Sequence, residues 1–150
     1  MNLKSVVTCI LFALFLIPGC IDSDAAEDKI YDLSELEMNE GVVLIDFMAT
    51  WCSPCRAEID ELKEVYENYG GEVTIISVDV DFKETKELLA QYRKEVGADW
   101  DFAVDDIGLS QQYNVRSIPT LAILKDGEPV SIVVGTTSAA ETMGIISETL

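Results

Sequence analysis

Histidine is absent from this chain of 150 residues. No imidazole is therefore on hand to activate a serine or cysteine, to hold zinc or to ligate haem. Cations are scarce as well, with 10 Lys and Arg against 28 Asp and Glu and a formal net charge of −18. A surface so poor in Lys and Arg cannot displace counterions from a phosphate backbone, which excludes nucleic acid as a partner. The acidic balance fits a well-solvated surface, a surface that selects a basic partner, or a salty habitat. Cysteines number only four, and two of them, Cys52 and Cys55, lie in the body of the chain. A ring that small restrains little of an unfolded chain, so a disulfide scaffold is excluded. A structural metal is excluded too, since two thiols need two further ligands that neither His nor another Cys pair can supply.

Long apolar runs are also missing. The longest, Val6 to Ile17, has 12 residues. That suits the core of an export signal and falls short of the ~20 residues that span a bilayer. Lys4 supplies the positive start, and Ile17-Pro18-Gly19-Cys20 ends the segment in a sequence that resembles a lipobox, with Pro18 an unusual residue there. Three outcomes fit: lipidation of Cys20 after cleavage, an uncleaved hydrophobic anchor, or plain secretion. Each is extracytoplasmic, and the first two tie the chain to a membrane. The chain thus divides into a leader at 1–20, a small acidic tether at 21–29 and one domain at 30–150, a length that suits a single core.

Within that domain, Val42 to Met48 is apolar except for Asp46, the pattern of a strand buried on both faces. Pro54 to Tyr69 carries apolar residues at helical spacing, and Val73 to Val80 is a second buried strand. Ser34 is placed to cap a short helix over Glu35 to Asn39, ended by Gly41. Asp81 and Glu84 form a cap pair for a helix running to Val96. Phe102 to Val104 is a short strand, and Ile107 to Tyr113 one or two helical turns. Thr120 to Leu124 and Val130 to Val134 read as strands of a hairpin turning at Lys125 to Glu128, and Ser138 opens a C-terminal helix. Strands alternating with helices, then a hairpin and helix, make an α/β sheet covered on both faces.

Cys52-Ser53-Pro54-Cys55 opens the helix that follows the first buried strand. Two thiols separated by two residues at a helix start can close a small disulfide and reopen it, the geometry of thiol–disulfide exchange. Asp46 stands six residues upstream of Cys52, and Ile118-Pro119-Thr120 puts Pro119 64 residues beyond Cys55. Together with Trp51, Arg116, Lys125-Asp126-Gly127 and Val134-Gly135, these motifs resemble thioredoxin from about Glu35 to Leu150. The segment from Asp81 to Val104 exceeds what a minimal thioredoxin needs. With the leader and the Phe-Met-Ala-Thr-Trp-Cys run, it resembles the exported, membrane-tethered TlpA/ResA group. The resemblance implies a thioredoxin fold, a mixed central sheet flanked by helices with a helix–strand insertion before a cis-Pro loop. Three residues depart from the thioredoxin pattern: Asp60 for a proline, Ser77 for a lysine and Ser117 for a glycine.

The expected roles follow. Cys52, at the exposed helix start, is the attacking thiol, its thiolate favoured by the helix dipole. Cys55, more buried, resolves the mixed disulfide. Asp46, desolvated in its strand, accepts the Cys55 proton directly or through water. Ser53 and Pro54 tune and stiffen the loop. Trp51 is an apolar wall, and Ile118, Pro119 (cis by resemblance) and Thr120 offer a substrate strand an edge to pair with. Trp100 is expected to be packing within the insertion. No cofactor is needed beyond the Cys52–Cys55 disulfide itself. The partners implied are proteins with disulfides and a membrane electron donor, and cytochrome c maturation comes by resemblance alone. A disulfide oxidase or isomerase, or a binding module that uses the groove without chemistry, are the alternatives.

Overall fold

The computed structural model describes residues 29–150. The leader at 1–20, the tether up to residue 28 and the lipidation expected at Cys20 lie outside the described residues. Ten regular elements follow one another: β1 (Tyr31–Asp32), β2 (Val42–Met48), α1 (Ser53–Tyr69), β3 (Val73–Asp79), α2 (Lys86–Val96), β4 (Asp101–Val104), α3 (Leu109–Gln112), β5 (Thr120–Lys125), β6 (Glu128–Val134) and α4 (Ala139–Thr149). The strands form one mixed sheet in the order β1-β4-β3-β2-β5-β6. β1, β4, β3 and β2 run parallel to one another, while β5 pairs antiparallel with both β2 and β6.

β2 lies at the centre, and all seven of its residues are buried. Its alternate side chains serve two cores. Val42, Leu44 and Met48 pack with α1, α2 and α4, whereas Val43, Ile45 and Phe47 pack with Leu33 and Leu109 on the opposite face. Asp46 shares the parity of the first set. Strand alternation thus aims its carboxyl at the face that α1 covers, with both cysteines in the same core.

α1 buries the stripe Cys55, Glu58, Ile59, Leu62 and Val65, and that helical spacing is why the segment folds as it does. Gly97 ends α2 in the left-handed conformation (φ 65°), accepting the strain a side chain would meet there. The β5–β6 turn places Asp126 (φ 52°) and Gly127 (φ 84°) in succession at positive φ, as a two-residue hairpin demands.

Two expected helix starts are corrected. No helix spans Glu35 to Asn39; a short 3₁₀ turn at Leu33–Glu35 takes its place, capped by Asp32, and Leu36 is extended. Ser34 is engaged elsewhere, its amide and hydroxyl donating to Asp106 at 2.9 and 2.5 Å. α2 is capped by Thr85, whose hydroxyl accepts from the Leu88 amide at 3.2 Å, and not by Asp81 and Glu84. Those two carboxylates reach back to the residues before Cys52. Asp81 takes the Trp51 indole N–H at 2.9 Å, and Glu84 takes the amide and hydroxyl of Thr50.

Candidate active site

Cys52 and Cys55 are joined as a disulfide, with Cα atoms 5.2 Å apart. Cys52 is the N-cap of α1, and its sulfur accepts from the Cys55 amide at 3.2 Å. A thiolate at that atom would keep this hydrogen bond and meet the positive end of the helix. Pro54 occupies the first turn, where a missing amide hydrogen removes no intrahelical bond. Ser53 and Pro54 are exposed. Cys55 is fully buried, but Cys52, at 4 % exposure, is far less open than its place at a helix start suggests. Trp51, at 64 % exposure, is the face that solvent meets instead.

Asp46 is fully buried. Burial pushes its carboxyl up to about 7; the Ser77 hydroxyl holds it back, and the Glu58 charge adds to the rise. Register puts Ser77 directly opposite Asp46. The Ser77 hydroxyl donates to Asp46 Oδ2 at 3.0 Å and accepts from the indole N–H of Trp100, also at 3.0 Å. Trp100 therefore does more than fill the insertion: it touches the residue that holds Asp46. The other oxygen, Oδ1, is buried without a hydrogen-bond partner among the described residues, as are Glu58 Oε1 and the Tyr92 hydroxyl. Tyr92 is pushed up to about 12, first by burial and then by the Asp46 charge.

Glu58 is the acidic residue that sequence reading passed over. It lies on the buried stripe of α1, and its Oε2 accepts from the Thr137 amide at 2.7 Å. Burial raises its pKa, the Thr137 hydrogen bond opposes that, and the Glu61 charge adds to it. Glu61 in turn accepts from the Ala139 amide at 2.8 Å, at the start of α4. Two carboxylates of α1 thus hold the entry to the C-terminal helix, where free amides favour anions. A signal was present in the sequence: Glu58 falls three residues after Cys55 and one before Ile59, on the apolar stripe itself.

The Ile118–Pro119 peptide bond is cis. Pro119 is buried, and its carbonyl accepts from the Gly135 amide at 2.9 Å. Thr120 is buried too, its hydroxyl donating to the Ser117 carbonyl at 2.8 Å, so its side chain secures the loop from inside. Ile118 is half-buried, and neither its N–H nor its carbonyl makes a backbone hydrogen bond among the described residues. It lines one surface cavity with Trp51. The structure therefore gathers Trp51 and Ile118 at one opening, with the disulfide and Asp46 on the same side of the sheet. Among the described residues, no three His, Cys, Asp or Glu side chains converge as metal ligands.

This arrangement has known counterparts. Residues 39–130 match the Thioredoxin-like family. Thioredoxin from Staphylococcus epidermidis is 35 % identical over 99 residues, covering 66 % of this chain and 73 % of that one. A thioredoxin-like protein from Aeropyrum pernix superposes with a TM-score of 0.66 at 25 % identity, over 75 % of this chain and 80 % of that chain. The exposed lipoprotein thioredoxin of Streptococcus pneumoniae gives 0.64 at 24 % identity, over 73 % and 86 %. A mixed sheet, a Cys52–Cys55 disulfide at a helix start, a cis-proline and a family match over most of the domain lead to one assignment: the chain belongs to the thioredoxin-like family.

Proposed function

We propose that this protein is an exported, membrane-anchored thiol–disulfide oxidoreductase that reduces disulfides in other proteins. The observation that carries the proposal is the Cys52–Cys55 disulfide at the start of α1 with a buried carboxyl, Asp46, on the same sheet face. In the reduced protein the Cys52 thiolate attacks one sulfur of a substrate disulfide. The other substrate sulfur leaves as a thiolate and takes a proton. Cys55, losing its proton to Asp46 directly or through water, attacks Cys52 Sγ and releases the second substrate thiol. Two electrons pass to the substrate, and the Cys52–Cys55 disulfide reforms. A membrane electron donor must then restore the dithiol. Trp51 and Ile118 form the docking edge, the buried Pro119 and Thr120 hold that loop from beneath, and Ser53 and Pro54 shape the loop between the cysteines.

Lipidation of Cys20 would hold the domain outside the cytoplasm; among the described residues no helix is long and apolar enough to cross a membrane. Resemblance to the TlpA/ResA group points to cytochrome c maturation as the setting. With no His between the cysteines, the potential is expected nearer about −270 mV than the oxidant end at about −120 mV.

Insulin-disulfide reduction tests the reading. Cys52→Ser should abolish it, and Cys55→Ser should trap substrate on Cys52; undiminished turnover by Cys52→Ser would sink it. Equilibration with glutathione tests the direction, which a value above about −180 mV reverses. Fatty-acid labelling lost in Cys20→Ser would support the anchor.

A further inference from the structure

Phe82 is the most exposed large apolar side chain among the described residues, at 91 %. Its backbone lies in a tight turn. The Asp81 carbonyl accepts from the Glu84 amide at 2.9 Å, with Phe82 and Lys83 as the central pair. The Asp81 carboxylate also accepts from the Lys83 amide at 3.0 Å and stiffens the turn. Corners of this kind take polar residues, glycine or proline, so turn chemistry gives no reason for a phenyl ring. Packing gives none at that exposure. The Lys83 ammonium, 5.7 Å from the ring centre, is at the outer limit of a cation–π contact.

The turn is fastened to the disulfide loop at two points. Asp81 takes the Trp51 indole N–H at 2.9 Å, and Glu84 takes the Thr50 amide at 2.9 Å. Trp51 directly precedes Cys52 in the chain, so these bonds hold Phe82 at a set place beside the reacting sulfurs. Trp51, Phe82, Val80, Val115 and Ile118 wall one cavity of about 420 Å³. Its charged members are one carboxylate and one guanidinium, Asp81 and Arg116, so the wall selects for apolar surface and not for a sign of charge. What enters follows from what adjoins it. Ile118 keeps its backbone N–H and carbonyl free of backbone hydrogen bonds among the described residues, which suits an extended segment. Residues two apart in such a segment share a face. A residue two positions from the cysteine under attack therefore meets the wall that runs from Trp51 to Phe82.

We propose that Phe82 is a specificity-determining residue: with Trp51 it forms a slot for a bulky apolar side chain two residues from the substrate cysteine. The inference rests on the reductase reading and names its substrate class. These are disulfides flanked at that position by Leu, Phe or a side chain of similar bulk. Burying that side chain against two rings already held in place stabilises the encounter with Cys52, and little ordering cost falls on the enzyme. The preference it creates is apolar in origin, so salt does not screen it.

Two cystine peptides test it, identical except for Leu or Ser two residues to either side of the cysteine. With the full-length dithiol protein, kcat/KM on the Leu peptide should be about tenfold higher. The ratio should persist near 0.5 M salt, where an electrostatic preference would collapse. Phe82→Ser should lower the Leu-to-Ser ratio several-fold, and Phe82→Leu, which keeps an apolar wall, should retain most of it. Because the side chain is exposed, both variants should melt with the parent. Equal rates on both peptides, or a ratio that Phe82→Ser leaves in place, overturns the slot and leaves the reductase reading standing. So does a dimer of the parent that Phe82→Ser dissolves in sedimentation, since the patch then belongs to a second copy of the chain. Reduction of neither peptide overturns that reading, and the slot with it.

Discussion

Ser77 and Asp46 face each other across β3 and β2, with the serine hydroxyl donating to Asp46 Oδ2 at 3.0 Å. The direction of that bond is decided by a third residue. The Trp100 indole can only donate, and it donates to Ser77 Oγ at 3.0 Å. The serine must accept there, which leaves its single proton for Asp46. A tryptophan from the inserted segment thereby orients the hydrogen bond that opposes the effect of burial on the Asp46 carboxyl.

Removing the Ser77 hydroxyl should push the Asp46 pKa higher still, because that bond is the influence that lowers it. A hydrogen bond worth about 1 kcal/mol corresponds to roughly 0.7 of a pH unit. Ser77→Ala is thus expected to move the pH midpoint for resolution of a trapped mixed disulfide to more alkaline values by about that much. Trp100→Phe keeps the ring contacts with Tyr66 and Phe102 and frees the serine proton, so a smaller shift in the same direction is expected. Stopped-flow release of substrate thiol across pH would read it. A purely structural Trp100 would lower the melting temperature and leave the midpoint in place.

The same carboxyl should make the fold less stable as pH rises. Below its ordinary value of 3.8, Asp46 is protonated in both folded and unfolded chains and contributes nothing. Between 3.8 and about 7 the unfolded chain ionises while the folded one keeps its proton, so stability falls with pH; above 7 the loss is constant. At ~1.4 kcal/mol per unit the loss amounts to about 4 kcal/mol at most. Asp46→Asn cannot ionise. Its stability relative to the parent should therefore rise by up to that amount between pH 4 and pH 8, whatever fixed cost the amide adds. Urea titrations at the two pH values would measure it, and a difference independent of pH would refute the buried-acid account.

The parts of this site legible in sequence are those written in local pattern. Cys52 and Cys55 announce themselves by spacing, and β2 and α1 by an apolar run and an apolar stripe. Asp46 is conspicuous because it interrupts that run. What escaped depends on register and distance. Nothing near Trp100 indicates that β3–β4 pairing, Ser77 opposite Phe102, brings its indole to Ser77. Asp81, Glu84 and Thr85 are all chemically able to cap a helix. Only the fold shows that Trp51 and Thr50, 30 and 34 residues upstream of their partners, take the two carboxylates and leave the cap to the threonine. The openness expected of Cys52 likewise failed because its sulfur is turned inward among core residues.

That reassigned cap gives a further expectation. Thr85→Ala deletes the acceptor for the Leu88 amide and should cost about 1 kcal/mol, a fall of roughly 4 °C in melting temperature. Glu84→Gln should leave the helix start intact. Its effect should appear instead at Thr50, which loses a charged acceptor for its amide and hydroxyl. Amide hydrogen exchange separates the two variants: faster exchange at Leu88 in the first, and at Thr50 in the second.

Glu58 offers the sharpest contrast between two substitutions at one position. Its Oε2 is the acceptor of the buried Thr137 amide at 2.7 Å. Glu58→Ala removes that acceptor and strands the amide, a loss of about 1–3 kcal/mol, and opens space beneath the residues that lead into α4. Glu58→Gln keeps a carbonyl oxygen in place and cannot ionise. Because burial raises the Glu58 pKa, the carboxylate form is the destabilised one, and the amide variant should match or exceed the parent in stability at pH 8. Loss of the Glu58 charge also removes one of the influences that raise Asp46, so its carboxyl should titrate lower in Glu58→Gln. Calorimetry at pH 8 combined with carboxyl NMR of Asp46 would test both expectations. An Asp46 titration unmoved in Glu58→Gln would show that the two carboxyls, though they share the core around Cys55, do not act on one another.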